Sequence, residues 1–91
     1  MKELVKHENA TIVDVRTEWE CSLGMVENSL VIPMHEVPSR IDEFKLMSKP
    51  LILCCATGSR SGQVAKFLSK QGITEVYNGG GWEEVLDMLE T

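Results

Sequence analysis

The stretch from Leu51 to Gly72 constrains the fold of this chain more than any other. It begins with a short apolar run, Leu51–Cys54, which is typical of a buried β-strand bounded by turn signals. A loop of small residues follows, with Cys55 at its start and Arg60 at its end. The remainder carries apolar residues at helical spacing and stops at Gly72. We therefore predict a strand, a tight loop and a helix, in that order.

A loop that wraps onto the start of a helix has a chemical use. The first N–H groups of a helix lack partners within the helix, and the helix dipole adds positive potential there. Several such donors aimed at the sulfur of Cys55 would stabilise a thiolate and lower the pKa of the thiol. Arg60 would add charge or structural support at the rim. The competing interpretation is an inert, buried cysteine followed by an ordinary turn.

Size and charge exclude several classes of function. The chain has 91 residues, which fits a single domain over residues 1–91. Its formal net charge of −5 argues against a nucleic-acid-binding surface. No apolar run is long enough to span a membrane. We therefore expect neither a nucleic acid nor a membrane as a partner.

The cysteines and histidines indicate a reducing compartment and no metal site. Three cysteines, Cys21, Cys54 and Cys55, are an odd number with two adjacent members, which is a poor basis for disulfides. Since no signal peptide is visible at the start, a cytoplasmic location is expected. His7 and His35 stand apart from cysteines and carboxylates at ligand spacing, so the sequence predicts no metal and no cofactor.

Strands and helices alternate along the rest of the chain. Further strands are predicted at Thr11–Val15, Ser29–Ile32 and Glu75–Tyr77, and a flexible turn at Asn78–Gly81. Helices are predicted at Met1–Lys6, at Glu18–Cys21 with Thr17 as its cap, from Pro38 onwards with Ile41, Phe44 and Leu46 facing the core, and at Trp82–Leu89. This alternation indicates an α/β fold with a parallel sheet and helices on both faces. Its functional crevice should lie beyond the carboxyl ends of the strands.

Four short motifs, in this order, resemble those of the single-domain rhodaneses, the rhodanese-like sulfurtransferases. They are Ile12–Arg16, an apolar strand ending in Asp-x-Arg; Val31–Pro33; Cys55–Ser61, which reads Cys-x-x-Gly-x-Arg-Ser; and Val76–Trp82. The resemblance covers nearly the whole chain from Thr11 onwards. It implies a three-layer α/β fold with a parallel sheet of four or five strands. The chain departs from the pattern at its short amino end and at Met25, where many members have histidine.

The resemblance implies sulfur transfer in two steps through Cys55. The thiolate takes the sulfane sulfur of thiosulfate or of a persulfide donor, and the resulting persulfide passes it to a thiol or cyanide acceptor. A sulfur-acceptor protein is a further candidate partner. The loop expected to hold the persulfide comprises Ala56, Thr57, Gly58, Ser59, Arg60 and Ser61. Asp14 and Arg16 are expected to support the site by anchoring loops.

Two other functions stay open on the sequence alone. One is a non-enzymatic module. It could be an interaction module, although such modules have usually lost the cysteine and Cys55 is present, or a carrier that hands a Cys55 persulfide to a partner protein. The other is a cysteine phosphatase or arsenate reductase of the same fold. Those enzymes place one residue more between cysteine and arginine, to wrap a tetrahedral oxyanion. Only Ala56–Ser59 intervene here, which makes a tighter cradle suited to a single sulfur atom.

The charge of the loop predicts which donor is preferred. Arg60 is its only charged residue, and the whole chain is acidic. Binding a dianion such as thiosulfate well calls for more than one nearby cation. We therefore expect weak activity with thiosulfate and better turnover with a persulfide donor.

Overall fold

Four strands form one parallel sheet in the order β2-β1-β3-β4. The structure is a computed structural model that describes residues 1–91. The strands are β1 (Thr11–Asp14), β2 (Leu30–Val31), β3 (Leu51–Cys55) and β4 (Val76–Gly81). β3 pairs with β1 on one side and β4 on the other, and all of its residues are buried. This central position explains its unbroken apolar sequence.

Five helices and one 3₁₀ segment precede, connect and follow the strands. They are α1 (Lys2–Val5), α2 (Glu18–Ser22), the 3₁₀ segment (Met34–Arg40), α3 (Ile41–Leu46), α4 (Ser59–Lys70) and α5 (Trp82–Glu90). None of these helices combines the length and the apolar character needed to cross a membrane.

The side chains of β3 alternate between two hydrophobic cores, one on each face of the sheet. Leu51 and Leu53 pack in the larger core with Leu68 of α4. Ile52 points the other way and packs in the smaller core with Val85 of α5. The sheet is therefore covered on both faces, which confirms the predicted three-layer α/β architecture with four strands.

The helix predicted from Pro38 begins at Ile41 instead. Pro38 lies inside the 3₁₀ segment, and α3 follows it. Phe44 is fully buried and Ile41 packs against the same core, as predicted, but Leu46 is 88% exposed and its prediction was wrong. Leu46 follows Phe44 by two positions, about 200° around a helix, so the two side chains point in opposite directions. Met47 packs against the core in place of Leu46.

The glycines after Asn78 belong to β4, so the predicted flexible turn was wrong. The pairing register between β3 and β4 shifts here, which makes Gly79 the extra residue of a β-bulge. A Cβ atom at Gly79 would lie 2.8 Å from Cγ2 of Ile52 and 2.8 Å from Cγ2 of Val85. Glycine at this position therefore lets α5 pack closely on the sheet.

We expect Gly79→Ala to lower the free energy of unfolding by about 1–3 kcal/mol, because the added methyl group has to displace packed side chains. Gly72→Asn is the control. A Cβ at Gly72 meets nothing within 4 Å, and asparagine tolerates the left-handed backbone there, where φ is +86°. Urea unfolding measures both variants, and equal losses would contradict the packing explanation.

Candidate active site

Cys55 ends the central strand, and its sulfur faces the first turn of α4. The chain passes through Ala56–Gly58 before α4 begins, so Ser59–Ser61 lie in the helix itself and not in the loop where the sequence placed them. Gly58 makes the tight turn possible because its φ is +102°, a left-handed conformation that favours glycine. A Cβ there would also lie 3.1 Å from Cα of Gly80.

Three hydrogen-bond donors point at the sulfur of Cys55. The backbone N–H of Gly58 lies 3.0 Å from the sulfur, the N–H of Ser61 3.4 Å and the Ser61 hydroxyl oxygen 3.3 Å. Both amides belong to the amino end of α4, where N–H groups have no partner inside the helix. Cys55 itself is only 1% exposed, so these donors act in a largely desolvated environment.

Hydrogen bonding outweighs burial at the Cys55 thiol. Burial alone would raise its pKa, but hydrogen bonds from the Ser61 hydroxyl and from the amides of Ser61 and Gly58 stabilise the thiolate. Together they lower the pKa of Cys55 below its ordinary value. Cys54 behaves in the opposite way, since burial on the other face of the strand raises the pKa of its thiol strongly. The geometry therefore favours Cys55 over Cys54 as a nucleophile.

We expect the alkylation rate of Cys55 to reach half its maximum at a pH below about 8.5, the pKa of a free thiol. The thiolate is the reactive form, so the rate rises with pH through the pKa and then levels off. A lowered pKa moves that rise to lower pH. Iodoacetamide rates across a pH series, with the Cys55 peptide quantified by mass spectrometry, measure the midpoint. A midpoint at or above the free-thiol value would rule out a thiolate cradle.

Arg60 binds an acidic partner that the sequence reasoning did not identify. Its two terminal nitrogens donate to the two carboxylate oxygens of Glu20, at 2.7 Å and 2.9 Å. These bonds are the main cause of the fall in the pKa of Glu20 to about 2. Glu20 also completes the predicted capping box of α2 with Thr17, which is confirmed. The positive charge of Arg60 is therefore paired, and α2 is tied to the first turn of α4.

Asp14 and Arg16 form a buried ion pair at the carboxyl end of β1. Nη2 of Arg16 donates to Oδ2 of Asp14 at 2.7 Å and to the carbonyl oxygen of Gly24 at 2.8 Å. The guanidinium carbon lies 4.9 Å from the centroid of the Trp82 ring, a cation–π arrangement. The pair thus ties together β1, the loop that contains Met25 and the start of α5.

Asn78 joins β4 to the cysteine loop, a role that the sequence reasoning missed. Its Nδ2 donates to the carbonyl oxygen of Gly58 at 2.9 Å. Its Oδ1 accepts from the N–H of Gly80 at 3.0 Å and lies 2.7 Å from the Ser61 hydroxyl oxygen. The available signal was a polar residue directly after the predicted strand Glu75–Tyr77, since functional residues gather beyond the carboxyl ends of strands in a parallel sheet.

A cleft of about 370 Å³ opens beside Arg60. It is lined by Val15, Thr17, Pro33, Met34, His35 and Arg60. These residues follow β1 and β2 or begin α4, so the cleft lies at the carboxyl edge of the sheet, as expected for such folds. Within it, Arg60 is the one permanent cation, and Glu20 pairs with that charge.

Comparison with known proteins assigns the family. The model of the Rhodanese-like domain family matches residues 1–87. The chain belongs to this family. This match confirms the resemblance to rhodaneses that the sequence motifs of this rhodanese-like chain indicated.

Relatives of the rhodanese-like chain include named sulfurtransferases. The sulfurtransferase of Allochromatium vinosum is 34% identical over 77 residues, which span 85% of this chain and 71% of that protein. The thiosulfate sulfurtransferase GlpE of Stutzerimonas stutzeri is 34% identical over 80 residues, with 87% and 72% covered. The crystal structure of a rhodanese-related protein from Thermoplasma volcanium matches with a TM-score of 0.75 at 30% identity, covering 88% of this chain and 79% of that one. These similarities support a general sulfurtransferase role.

Proposed function

We propose that this chain, with residues 1–91 acting as one domain, transfers sulfane sulfur from a donor to an acceptor through a persulfide on Cys55. The observation that carries the proposal is the set of donors from Gly58 and Ser61 around a cysteine whose pKa is lowered. Transfer between sulfur atoms needs a thiolate nucleophile and no separate general base once the thiol is ionised.

The first step forms the persulfide. The Cys55 thiolate attacks the sulfane sulfur of the donor, and the bond between that sulfur and the rest of the donor breaks. The electron pair of the broken bond leaves with the rest of the donor. The terminal sulfur now carries the negative charge, which the N–H groups at the start of α4 stabilise.

The second step returns the free cysteine. A thiolate or cyanide acceptor attacks the terminal sulfur, and the S–S bond to Cys55 breaks. Cys55 keeps the electron pair and leaves as a thiolate. Since a thiol of low pKa is a better leaving group, the same donors assist both steps.

The remaining residues hold the loop in place. In this proposal the persulfide is surrounded by the six residues that follow Cys55, namely Ala56, Thr57, Gly58, Ser59, Arg60 and Ser61. Arg60 positions the loop through Glu20, while Asp14 and Arg16 anchor the neighbouring loops.

We infer that the preferred donor presents less charge at its reacting sulfur than dianionic thiosulfate does, as a low-molecular-weight persulfide would. The arginines that would attract dianionic thiosulfate all have carboxylate partners. Arg60 pairs with Glu20, Arg16 pairs with Asp14, and Arg40 binds two glutamates beside it. Paired cations attract a dianion weakly. Acceptors in this proposal are a small thiol, cyanide or the thiol of a partner protein.

Turnover assays with two donors test the proposal. We expect both thiosulfate and cysteine persulfide to support sulfur transfer to cyanide or a thiol, with a higher kcat/KM for the persulfide. We expect no hydrolysis of p-nitrophenyl phosphate. A higher kcat/KM for thiosulfate would contradict the donor assignment. Phosphate-ester hydrolysis without sulfur transfer would overturn the function, and one sulfur loaded without turnover would favour a carrier module.

We expect Glu20→Gln to raise kcat/KM for thiosulfate about three- to tenfold, because it leaves the charge of Arg60 unneutralised beside the cleft. The value for cysteine persulfide, which carries less negative charge than thiosulfate, should change less. Glu18→Gln is the matched control, since Glu18 lies on the same helix, is exposed and makes no ion pair. Steady-state kinetics at low salt measures all three proteins. An equal rise in kcat/KM for thiosulfate in both variants would mean that the change in net charge, and not the release of Arg60, causes the effect.

A further inference from the structure

The orientation of the Asn78 side chain is fixed by two backbone groups. The N–H of Gly80 can only donate, so it requires the amide oxygen of Asn78. The carbonyl oxygen of Gly58 can only accept, so it requires the amide nitrogen. If the amide were rotated by 180°, its NH2 group would face the N–H of Gly80 and its oxygen would face the carbonyl oxygen of Gly58, so neither hydrogen bond could form. Oδ1 of Asn78 is therefore the atom that faces Ser61, 2.7 Å from its hydroxyl oxygen.

The Ser61 hydroxyl has one proton and two acceptors within reach. Oδ1 of Asn78 has no proton to offer, so a contact of 2.7 Å requires the hydroxyl to donate. The sulfur of Cys55 lies farther away, at 3.3 Å from the same hydroxyl oxygen. When the cysteine is a neutral thiol, the hydroxyl thus donates to Asn78 and offers a lone pair to the S–H group. When the sulfur is a thiolate, the two acceptors compete for the same proton.

We propose that Asn78 is a positioning residue for the Cys55 nucleophile, because its side-chain oxygen competes with the sulfur for the Ser61 proton and so limits how strongly Ser61 stabilises the thiolate. The proposal rests on Cys55 being the nucleophile of the proposed function. In the persulfide the charge moves to the terminal sulfur, so the hydroxyl returns to Asn78.

The fold makes room for Asn78 at this place. A Cβ atom at position 62 would lie 3.0 Å from Nδ2 of Asn78, so Gly62 leaves space for the amide against the first turn of α4. Ser61 is fully buried, which leaves Asn78 and Cys55 as the partners of its hydroxyl. The burial of Ser61 keeps water from its hydroxyl, whereas the Asn78 side chain that accepts the proton is exposed to solvent.

The other titratable groups near Cys55 are the same in all variants of a test that replaces only Ser61 and Asn78. They are Arg60 with Glu20 behind it, Cys54 on the same strand, Asp14 and Arg16 at the end of β1, His35 beside the cleft and Glu84 at the start of α5. Differences between such variants consequently report on the hydroxyl and the amide.

A double-mutant cycle on the pH profile of Cys55 alkylation tests the proposal. The four proteins are the parent, Asn78→Ala, Ser61→Ala and the double variant, with alkylation of Cys55 resolved by mass spectrometry. Asn78→Ala also removes the bonds from Asn78 to Gly58 and Gly80, and this loosens the loop equally whether residue 61 is serine or alanine. The difference between the two backgrounds therefore reports only on the competition for the Ser61 hydroxyl proton. Asn78→Ala shifts the midpoint of the alkylation profile in each background. We expect that shift to be about half to one pH unit more negative when Ser61 is present than when Ser61 has been replaced by alanine.

No coupling, or coupling of the opposite sign, would overturn the proposal. Ser61→Ala alone decides the matter if the Asn78 variants do not fold. With Asn78 present, we expect it to raise the midpoint by about half a pH unit or less, because Asn78 retains a share of the hydroxyl proton. A rise of about one unit or more would show that the hydroxyl donates freely to the thiolate. These readouts measure ionisation and not sulfur transfer. Failure of the proposed function therefore shows in the turnover assays and not in this cycle.

Discussion

Replacing Cys55 with serine is expected to abolish sulfur transfer, with a loss of about a thousandfold or more in kcat/KM, because a hydroxyl forms no persulfide. Cys54→Ser is the matched control. Cys54 lies on the same strand but is fully buried on the opposite face, and its raised pKa keeps it a neutral thiol. That variant should retain most of the activity.

Thiosulfate and persulfide assays on both variants, at matched concentrations of folded protein, measure the difference. An inactive Cys54 variant beside an active Cys55 variant would mean that the reactive cysteine has been assigned to the wrong face of β3.

Asp14→Ala is expected to lower the free energy of unfolding by about 3–5 kcal/mol, the largest stability effect that we predict. The Arg16 guanidinium, whose side chain is 5% exposed, would then be buried without its carboxylate. The charge would keep only the Gly24 carbonyl and the Trp82 ring as partners. Because this pair anchors the loop before β2, activity should fall with the loss of stability.

Glu43→Ala provides the control, since it removes a carboxylate that lies 2.6 Å from Arg40. That pair is exposed to water, so its loss should matter far less in spite of the short distance. Urea unfolding followed by circular dichroism compares the two variants. Similar losses of stability would contradict the importance of burying the Asp14 ion pair.

Patterns within single segments predicted most of the fold. The apolar run of β3 gave a central strand, and the Thr17–Glu20 capping box gave the start of α2, because each depends on neighbouring residues only. Gly79 was misread because glycine marks both a turn and a close approach between packed elements. The side chains of Ile52 and Val85, which exclude any Cβ there, become neighbours only in the folded chain.

The candidate site divides in the same way. Cys55 and Arg60 share one short motif, so their spacing was visible in the sequence. The partners of this segment, Glu20 and Asn78, were not identified because both are distant in sequence. Glu20 lies 40 residues from Arg60, and Asn78 lies 17 residues from Ser61. The role of Glu20 in the capping box accounted for its presence, and this hid its second contact with Arg60.

The intact mass of the purified protein after treatment with a sulfur donor tests the central claim most directly. The proposed function predicts the mass of one additional sulfur atom, located on Cys55. Cyanide or a thiol should remove that sulfur, and the Cys55→Ser variant should not acquire it. An unchanged mass, or an added sulfur that persists in the Cys55→Ser variant, would contradict transfer through a Cys55 persulfide.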